Sequence, residues 1–216
     1  MSWDYAEIYF GFPYRNFCPD IQYVLNTGSA SAPITKDQLK LQAKITSGDV
    51  ENDLLDIYIK TAVRQCENYI RRDLINKSWF AFLDFFPPYR DKGILLLRSK
   101  LQSITSIQYK VDGVFQTFSA SDYYITNNPA FSSIFLKPEK VWPTDADTNI
   151  KQAVLITFVS GYGATAADVP DNIKTGLLEH ATFMYQSRGD SADGGFSANM
   201  PATVKAIYDS EKIWQL

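Results

Sequence analysis

The length, composition and charge of this chain exclude several classes of protein. Its 216 residues are 45% hydrophobic and 21% charged, which is typical of a globular protein with a substantial core and not of a disordered or fibrous chain. The formal net charge is −3, and from Val111 onward 12 acidic residues outnumber 7 basic ones. A protein that grips DNA through its phosphates usually carries a basic stripe, and this charge pattern offers none.

The cysteines and the hydropathy pattern indicate the cellular compartment in which the protein is made. Cys18 and Cys66 lie too far apart for a metal-binding motif, and Cys66 falls on an apolar helical stripe, which predicts a buried free thiol. The first ten residues lack the basic and apolar segments of a secretory signal. No apolar run approaches the ~20 residues of a membrane span. We therefore expect synthesis in a reducing cytoplasm and no membrane partner.

Residues 1–33 form the first region of the chain, an aromatic N-terminal extension. Its aromatic residues are Trp3, Tyr5, Tyr9, Phe10, Phe12, Tyr14, Phe17 and Tyr23. Three prolines interrupt them, and the small-residue run T-G-S-A-S-A follows, so the pattern predicts neither a regular helix nor a disordered chain. Two interpretations stay open: the extension packs on its own domain, or it acts as an arm that covers a neighbouring subunit.

Residues 34–77 are predicted to be helical. Thr35 is a suitable N-cap, with Asp37 and Gln38 in the first turn of the helix that follows. A second helix starts near Asp49 or Asn52 and runs to about Arg72. Its predicted buried face consists of Leu55, Ile59, Ala62, Cys66 and Tyr69, which are spaced by four, three, four and three residues.

Residues 78–160 change to a β pattern and predict an antiparallel β subdomain. The aromatic run that starts at Trp79 ends at Pro87, as expected for a strand. Asp112-Gly113 predicts a tight type I′ turn between two strands. Further strands are predicted at G-I-L-L-L-R, D-Y-Y-I-T and S-S-I-F-L-K, and A-V-L-I-T-F-V has apolar residues on both faces, which indicates a central strand.

The remaining residues return to helix. Residues 161–188 contain a third main helix that starts at Pro170 and carries Ile173, Leu177, Ala181 and Met184 on one stripe. Residues 189–216 follow as a loop, a short helix and a C-terminal tail. The predicted fold class is therefore α+β: a small helical bundle with an antiparallel β subdomain inserted between the second and third main helices.

We predict no catalytic residue, metal ligand or cofactor. His180 is the single histidine, which excludes a multi-histidine metal site. Asp145, Asp147 and Asp168 are the candidate cation ligands, but a solvated acidic loop is the commoner explanation. An enzyme would need a cleft in which His180 meets a carboxylate such as Glu179 or Asp171. A carbohydrate-binding β module would need exposed aromatic faces, and Trp142 and Trp214 are the residues to test.

The ordered set of segments resembles the head-tail connector family of long-tailed bacteriophages, also called adaptor or head completion proteins. The resemblance covers residue 34 to the C-terminus. Its segments include I-T-K-D-Q-L-K, L-Q-S-I-T-S-I-Q-Y with its Asp-Gly turn, S-A-S-D-Y-Y-I, the V-W-P loop, A-V-L-I-T-F-V-S-G-Y-G and V-P-D-N-I-K-T-G-L-L-E-H. Residues 1–33 are extra relative to typical members.

The resemblance implies a structural, non-enzymatic protein of the virion neck, made in the bacterial host cytoplasm. Its expected partners are the portal protein, neighbouring copies in a dodecameric ring, the next neck or tail-completion protein, and double-stranded DNA that passes without sequence-specific binding. The C-terminal segment commonly engages the portal in this family. The predicted portal or subunit interface residues are Ile207, Tyr208, Ile213, Trp214, Leu216, Trp3, Tyr5, Tyr9 and Phe10.

Overall fold

The computed structural model describes residues 21–29, 31–46, 52–88, 93–98, 100–128, 131–147, 149–187 and 200–213. Within them the helices are α1 Lys36–Ala43, α2 Asn52–Ile70, α3 Asp171–Gln186 and α4 Ala202–Asp209. The strands are β1 Gln22–Thr27, β2 Lys77–Leu83, β3 Ile94–Leu96, β4 Leu101–Val111, β5 Val114–Phe118, β6 Tyr123–Asn127, β7 Ser132–Leu136 and β8 Val154–Ser160. Both sheets are antiparallel, so the predicted α+β class is confirmed.

The described residues divide into two compact units. A helical unit contains residues 29–76 and 161–213, and a β unit contains residues 21–28 and 77–160. Strands β2 to β8 follow α2 and precede α3 in the chain, whereas β1 precedes α1. The chain therefore enters the β unit twice, once before the first helix and once after the second.

The helical unit forms around the stripes that the sequence predicts. Leu55, Ile59, Ala62 and Cys66 of α2 are buried, and Tyr69 packs partly buried against the same core. Helix α3 packs on each of the other three helices and supplies buried residues of its own. The predicted N-cap of α1 is confirmed, because the Thr35 side chain accepts a hydrogen bond from the Gln38 amide at 3.2 Å.

The β unit contains a five-stranded sheet in the order β1-β2-β8-β4-β5 and a three-stranded sheet in the order β3-β7-β6. Strand β8 is central, as predicted, and its side chains alternate between buried and half-buried. One core is built from the inward-facing residues of both sheets. The predicted hairpin turn is also confirmed, since Asp112 and Gly113 have φ angles of 50° and 79°.

Strand β1 corrects the prediction of an irregular N-terminal extension. Residues 22–27 pair antiparallel with β2, with Val24 opposite Phe80. The segment Q-Y-V-L-N-T has too weak an alternation to predict a strand, and its pairing with a partner more than 50 residues away in the chain supplies the missing hydrogen bonds. The rest of the predicted extension, residues 1–20, lies outside the described residues.

Candidate assembly surfaces

The C-terminal segment is the first candidate surface, and Tyr208 of α4 anchors it inside the helical unit. The Tyr208 ring is fully buried and lies beside Tyr69 and His180, with ring centroids 6.4 and 6.1 Å away. Gly176 allows this close approach, because a Cβ there would stand 2.7 Å from Tyr208 Cε1. Tyr208 is therefore a core residue in this structure and presents no surface to a partner, which differs from the role expected of it.

The residues after Tyr208 are held by hydrogen bonds to the same unit. The Tyr69 hydroxyl donates to Asp209 Oδ1 at 2.5 Å, and Arg72 Nε donates to the Glu211 carbonyl at 2.8 Å. The Tyr162 hydroxyl donates to Glu211 Oε2 at 2.8 Å, and burial together with this carboxylate raises the pKa of Tyr162. The chain up to residue 213 is thus part of the helical unit.

The other predicted interface residues lie at or beyond the end of this segment. Ile207 and Ile213 are half-buried. The Ile213 amide donates to the Ile70 carbonyl at 3.1 Å, so its backbone continues the attachment. The remaining predicted residues lie outside the described part of the chain: Trp214, Leu216, Trp3, Tyr5, Tyr9 and Phe10.

His180 does not lie in a cleft. Its side chain is 3% exposed, packs near Tyr208, and among the described residues its Nδ1 has no hydrogen-bond partner. Burial lowers the pKa of His180, so the folded protein holds a neutral imidazole. The enzyme hypothesis required His180 to transfer a proton together with Glu179 or Asp171. Because the His180 side chain is buried, a substrate has no access to it, and the structure does not support this hypothesis.

Two of the three acidic residues considered as cation ligands, Asp147 and Asp168, have other partners in the structure, and Asp145 is exposed. The two carboxylate oxygens of Asp147 accept hydrogen bonds from the Asp112 and Gly113 amides at 3.2 and 2.9 Å. Asp168 accepts from both the amide and the hydroxyl of Thr165, and these bonds lower the pKa of Asp168. Within the described ranges no group of three acidic, histidine or cysteine side chains could hold a metal ion. These carboxylates support loops.

Trp142 is also explained by packing. It is 6% exposed and stacks on Phe86, with a centroid distance of 5.1 Å and an interplanar angle of 13°. Its ring centroid also lies 5.6 Å from that of Phe118, so Trp142 is part of an aromatic cluster in the β unit. The carbohydrate-binding hypothesis required an exposed face at this residue, so Trp142 does not support it.

One face of α2 carries an open depression with a volume of about 420 Å³. The residues that line it all lie on that helix: Ile57, Lys60, Thr61, Arg64, Gln65 and Asn68. A depression bounded by a single helix does not enclose a ligand, and its two cationic side chains, Lys60 and Arg64, do not by themselves form a catalytic site.

In the part of the chain that the structure describes, no helix has the length and hydropathy needed to cross a bilayer.

The two edge strands of the five-stranded sheet form the second candidate surface. Strands β1 and β5 are its terminal strands, and both carry exposed apolar side chains. Val24 and Leu25 of β1 are 41% and 47% exposed, and Val114 and Phe115 of β5 are 66% and 40% exposed. The sequence analysis missed this surface because strand order is not visible in the sequence. The sequence did contain one indication of this surface, because neither of the two segments has a charged residue or a proline.

Comparison with known proteins gives a match in fold. No family model and no curated protein matches this chain. A chain in the neck of an empty gene transfer agent particle, computed with C6 symmetry, has a TM-score of 0.72 and 17% identity, covering 90% of this chain and 97% of that chain. A chain in the virion of a native gene transfer agent particle has a TM-score of 0.71 and 18% identity, with the same coverage.

A third solved structure with this fold is a particle neck that was computed with a different symmetry. A chain in the neck of a native gene transfer agent particle, computed with C12 symmetry, has a TM-score of 0.64 and 18% identity, covering 89% of this chain and 97% of that chain. The three matches extend over nearly the whole of both chains, so the shared fold includes the helical and the β elements. The predicted resemblance to head-tail connectors is confirmed at the level of fold: this chain has the fold of chains that occur in particle necks.

Proposed function

We propose that this chain is a structural protein of a virion neck, a head-tail adaptor that forms a ring beneath the portal. The observation that carries the proposal is the fold shared over 90% of this chain with a chain of a particle neck. The proposal agrees with the surface of the protein, where both edge strands of the five-stranded sheet carry exposed apolar side chains and the single histidine is buried. Such a protein functions by binding neighbouring subunits and other neck proteins through its surfaces.

The ring is the expected form of assembly. The neck structures that share the fold were computed with C6 and C12 symmetry, and rings result when identical copies join head to tail and close. We propose a dodecamer that extends the DNA channel and docks the next neck or tail-completion protein. The excess of acidic residues after Val111 suits a channel in which phosphates are repelled and double-stranded DNA slides without sequence-specific binding.

The portal contact is proposed for the last residues of the chain. Because Tyr208 and the hydrogen bonds of Asp209 and Glu211 attach the preceding segment to the helical unit, we assign the contact to Ile213, Trp214 and Leu216. Tryptophan is among the residues that contribute most to binding at protein interfaces. Trp3, Tyr5, Tyr9 and Phe10 are proposed as contacts to a neighbouring subunit or to the portal.

The proposal is tested by co-sedimentation with the cognate portal protein, combined with electron microscopy of the pellet. We expect rings of this protein on the portal, and loss of binding when residues 214–216 are deleted. This truncation is preferable to one that starts at residue 207, which removes the buried Tyr208 and unfolds the site itself. The matched control is Ile57→Ala, which removes an exposed apolar side chain from α2 and leaves binding unchanged.

Two outcomes separate the parts of the proposal. Full portal binding by the chain that lacks residues 214–216 would overturn the C-terminal contact and leave the neck role intact. Absence of any binding by the full-length chain, with both units folded by circular dichroism, would overturn the adaptor function itself.

A further inference from the structure

The two terminal strands of the five-stranded sheet lack the features that normally prevent edge-to-edge association. Soluble proteins guard edge strands with charged side chains, prolines or bulges. Neither Q-Y-V-L-N-T in β1 nor V-F-Q-T-F in β5 contains a charged residue or a proline. A bulge occurs in β1, but it lies between Leu25 and Thr27, so residues 22–25 keep a regular register. Among the residues that the structure describes, neither β1 nor β5 has a strand paired on its outer side, so both edges are available to a further strand.

The edge at β5 is also held in place. Asp147 binds both amides of the turn that precedes this strand, and the Asp147 amide donates to the Lys110 carbonyl at 2.9 Å. The Lys110 amide in turn donates to the Ala153 carbonyl at 2.8 Å. Lys110 Nζ lies 5.1 Å from the centroid of the Phe115 ring. A strand presented on a fixed turn loses little conformational entropy when it pairs.

The direction of the strands decides how two copies can join. Each neighbour in the order β1-β2-β8-β4-β5 is antiparallel to the next, so β1 and β5 run in the same direction. Pairing β1 with β1, or β5 with β5, across a two-fold axis is antiparallel and closes a dimer. Pairing β5 with β1 of the next copy is head-to-tail, which is the kind of contact that builds a ring.

We propose that β5 of one copy pairs in parallel with β1 of the next, so that the five-stranded sheets join into one sheet around the ring. The occupant of each open edge is thus a second copy of this chain, and the inference rests on the proposed function. In a ring with C12 symmetry, successive copies are turned by about 30° relative to each other, so the two strands stay close to parallel. Parallel pairing supplies hydrogen-bond partners for the amides and carbonyls that point outward from the two edge strands.

The dimensions are compatible with a neck ring. Five strands at about 4.8 Å spacing span roughly 24 Å per copy. Twelve copies then give a circumference of roughly 290 Å and a diameter of about 90 Å at the sheet. Such a ring leaves a wide central opening, as a DNA channel requires.

Cysteine cross-linking distinguishes the two ways of pairing. Val24 and Thr117 are exposed and lie on the same face of the sheet, because Val24 aligns with Phe80 and Thr157, while Thr117 aligns with Gln108 and Leu155. In a Cys18→Ser background, with Cys66 retained because it is buried, the variants Val24→Cys, Thr117→Cys and their combination are assembled on the portal. They are then treated with a short bifunctional maleimide.

Head-to-tail pairing predicts a characteristic set of products. The double variant yields a ladder of covalent oligomers that reaches the full ring, an equimolar mixture of the two single variants yields dimers and nothing larger, and each single variant alone stays monomeric. Dimers from either single variant alone would overturn the proposal in favour of two-fold pairing. Rings visible by electron microscopy without any cross-link would overturn it and leave the neck function standing, whereas absence of rings on the portal and in concentrated solution would overturn both.

A charge placed on the open edge gives an independent test. Thr117→Lys is expected to lower ring formation at least tenfold, because unpaired Lys side chains block strand addition. Adding Val24→Glu to the same chain is expected to restore rings, since the two charges meet only if β5 contacts β1 of the next copy. The control is Val141→Lys, which adds the same charge at a residue of the β unit that is 68% exposed and lies outside both strands. Normal ring formation by Thr117→Lys would overturn the proposal.

Discussion

The helical unit and the β unit differ in how their peripheral segments are packed. In the helical unit the C-terminal segment returns to the core, where Tyr208 is buried and Glu211 accepts hydrogen bonds from the unit. In the β unit the core is formed by the inward-facing residues of both sheets and includes the stacked rings of Phe86 and Trp142, but the five-stranded sheet ends in two edge strands with exposed apolar side chains. The comparison teaches that the C-terminal segment up to residue 213 finds its partners within the helical unit, whereas the β unit has edge strands to which another chain can add.

The largest effect is expected from Tyr208→Ala, which tests whether the C-terminal segment belongs to the helical unit. Removal of this fully buried ring should lower the free energy of unfolding of that unit by about 4 kcal/mol, from lost burial and the cavity left behind. Hydrogen exchange measured by mass spectrometry should show reduced protection in α2, α3 and α4.

Tyr208→Phe is the matched control for that variant. The Tyr208 hydroxyl has no oxygen or nitrogen partner among the described residues, so its removal should change the free energy of unfolding by less than about 1 kcal/mol. Equal destabilisation by the two substitutions would contradict the packing of the ring and point to a role for the hydroxyl.

Trp142→Ala makes the corresponding test of the β unit. Loss of the indole stacked on Phe86 should lower the free energy of unfolding of this unit by about 3 kcal/mol. Protection from hydrogen exchange should fall in β2, β4 and β8. Trp142→Phe keeps an aromatic ring in the cluster and should retain much of the stability. A fully stable Trp142→Ala variant would show that the aromatic cluster contributes little to the stability of this unit.

Asp147→Ala tests the support of the hairpin turn. The substitution removes the acceptors of two backbone amides, so we expect a loss of about 1 kcal/mol and faster exchange at Asp112 and Gly113. Asp145→Ala, two residues away and exposed, serves as the control and should leave exchange at the turn unchanged. The hairpin would be shown to be self-supporting if both variants exchanged at the wild-type rate.

The smallest effect is a pH dependence that arises in the helical unit. Burial lowers the pKa of His180 in the folded protein, whereas the unfolded chain binds a proton near pH 6.5. The stability from this residue is therefore fully present above about pH 6.5 and falls as the pH drops below that value. Asp84, Asp168 and Asp209 have lowered pKa values in the folded protein, so the stability that they contribute is present at neutral pH and is lost only as the pH falls below the ordinary range of a carboxyl group.

Denaturant unfolding of the helical unit between pH 7.5 and 5 measures this dependence. His180→Gln removes the titrating group, so its stability should change less than that of the wild type over the same range. Two parallel curves would show that the imidazole does not become charged on unfolding, contrary to its burial in the folded state.

The sequence by itself determined the features that depend on neighbouring residues. The Thr35 cap, the buried stripe of α2 and the Asp112-Gly113 turn follow from side-chain chemistry and from spacings of two to four residues, and each was predicted with its residues. The central position of β8 was also predictable, because apolar residues on both faces indicate a strand with two partners.

Only the tertiary structure decided the features that join distant parts of the chain. The segment from Gln22 to Thr27 becomes a strand because β2 supplies its hydrogen bonds, and Tyr208 is a core residue and not an interface anchor because Gly176 leaves room for its ring. Tyr69 and Asp209 meet although 140 residues separate them. Side-chain periodicity reports which face of an element is apolar, but the partner that covers that face is set by the packing of the whole chain.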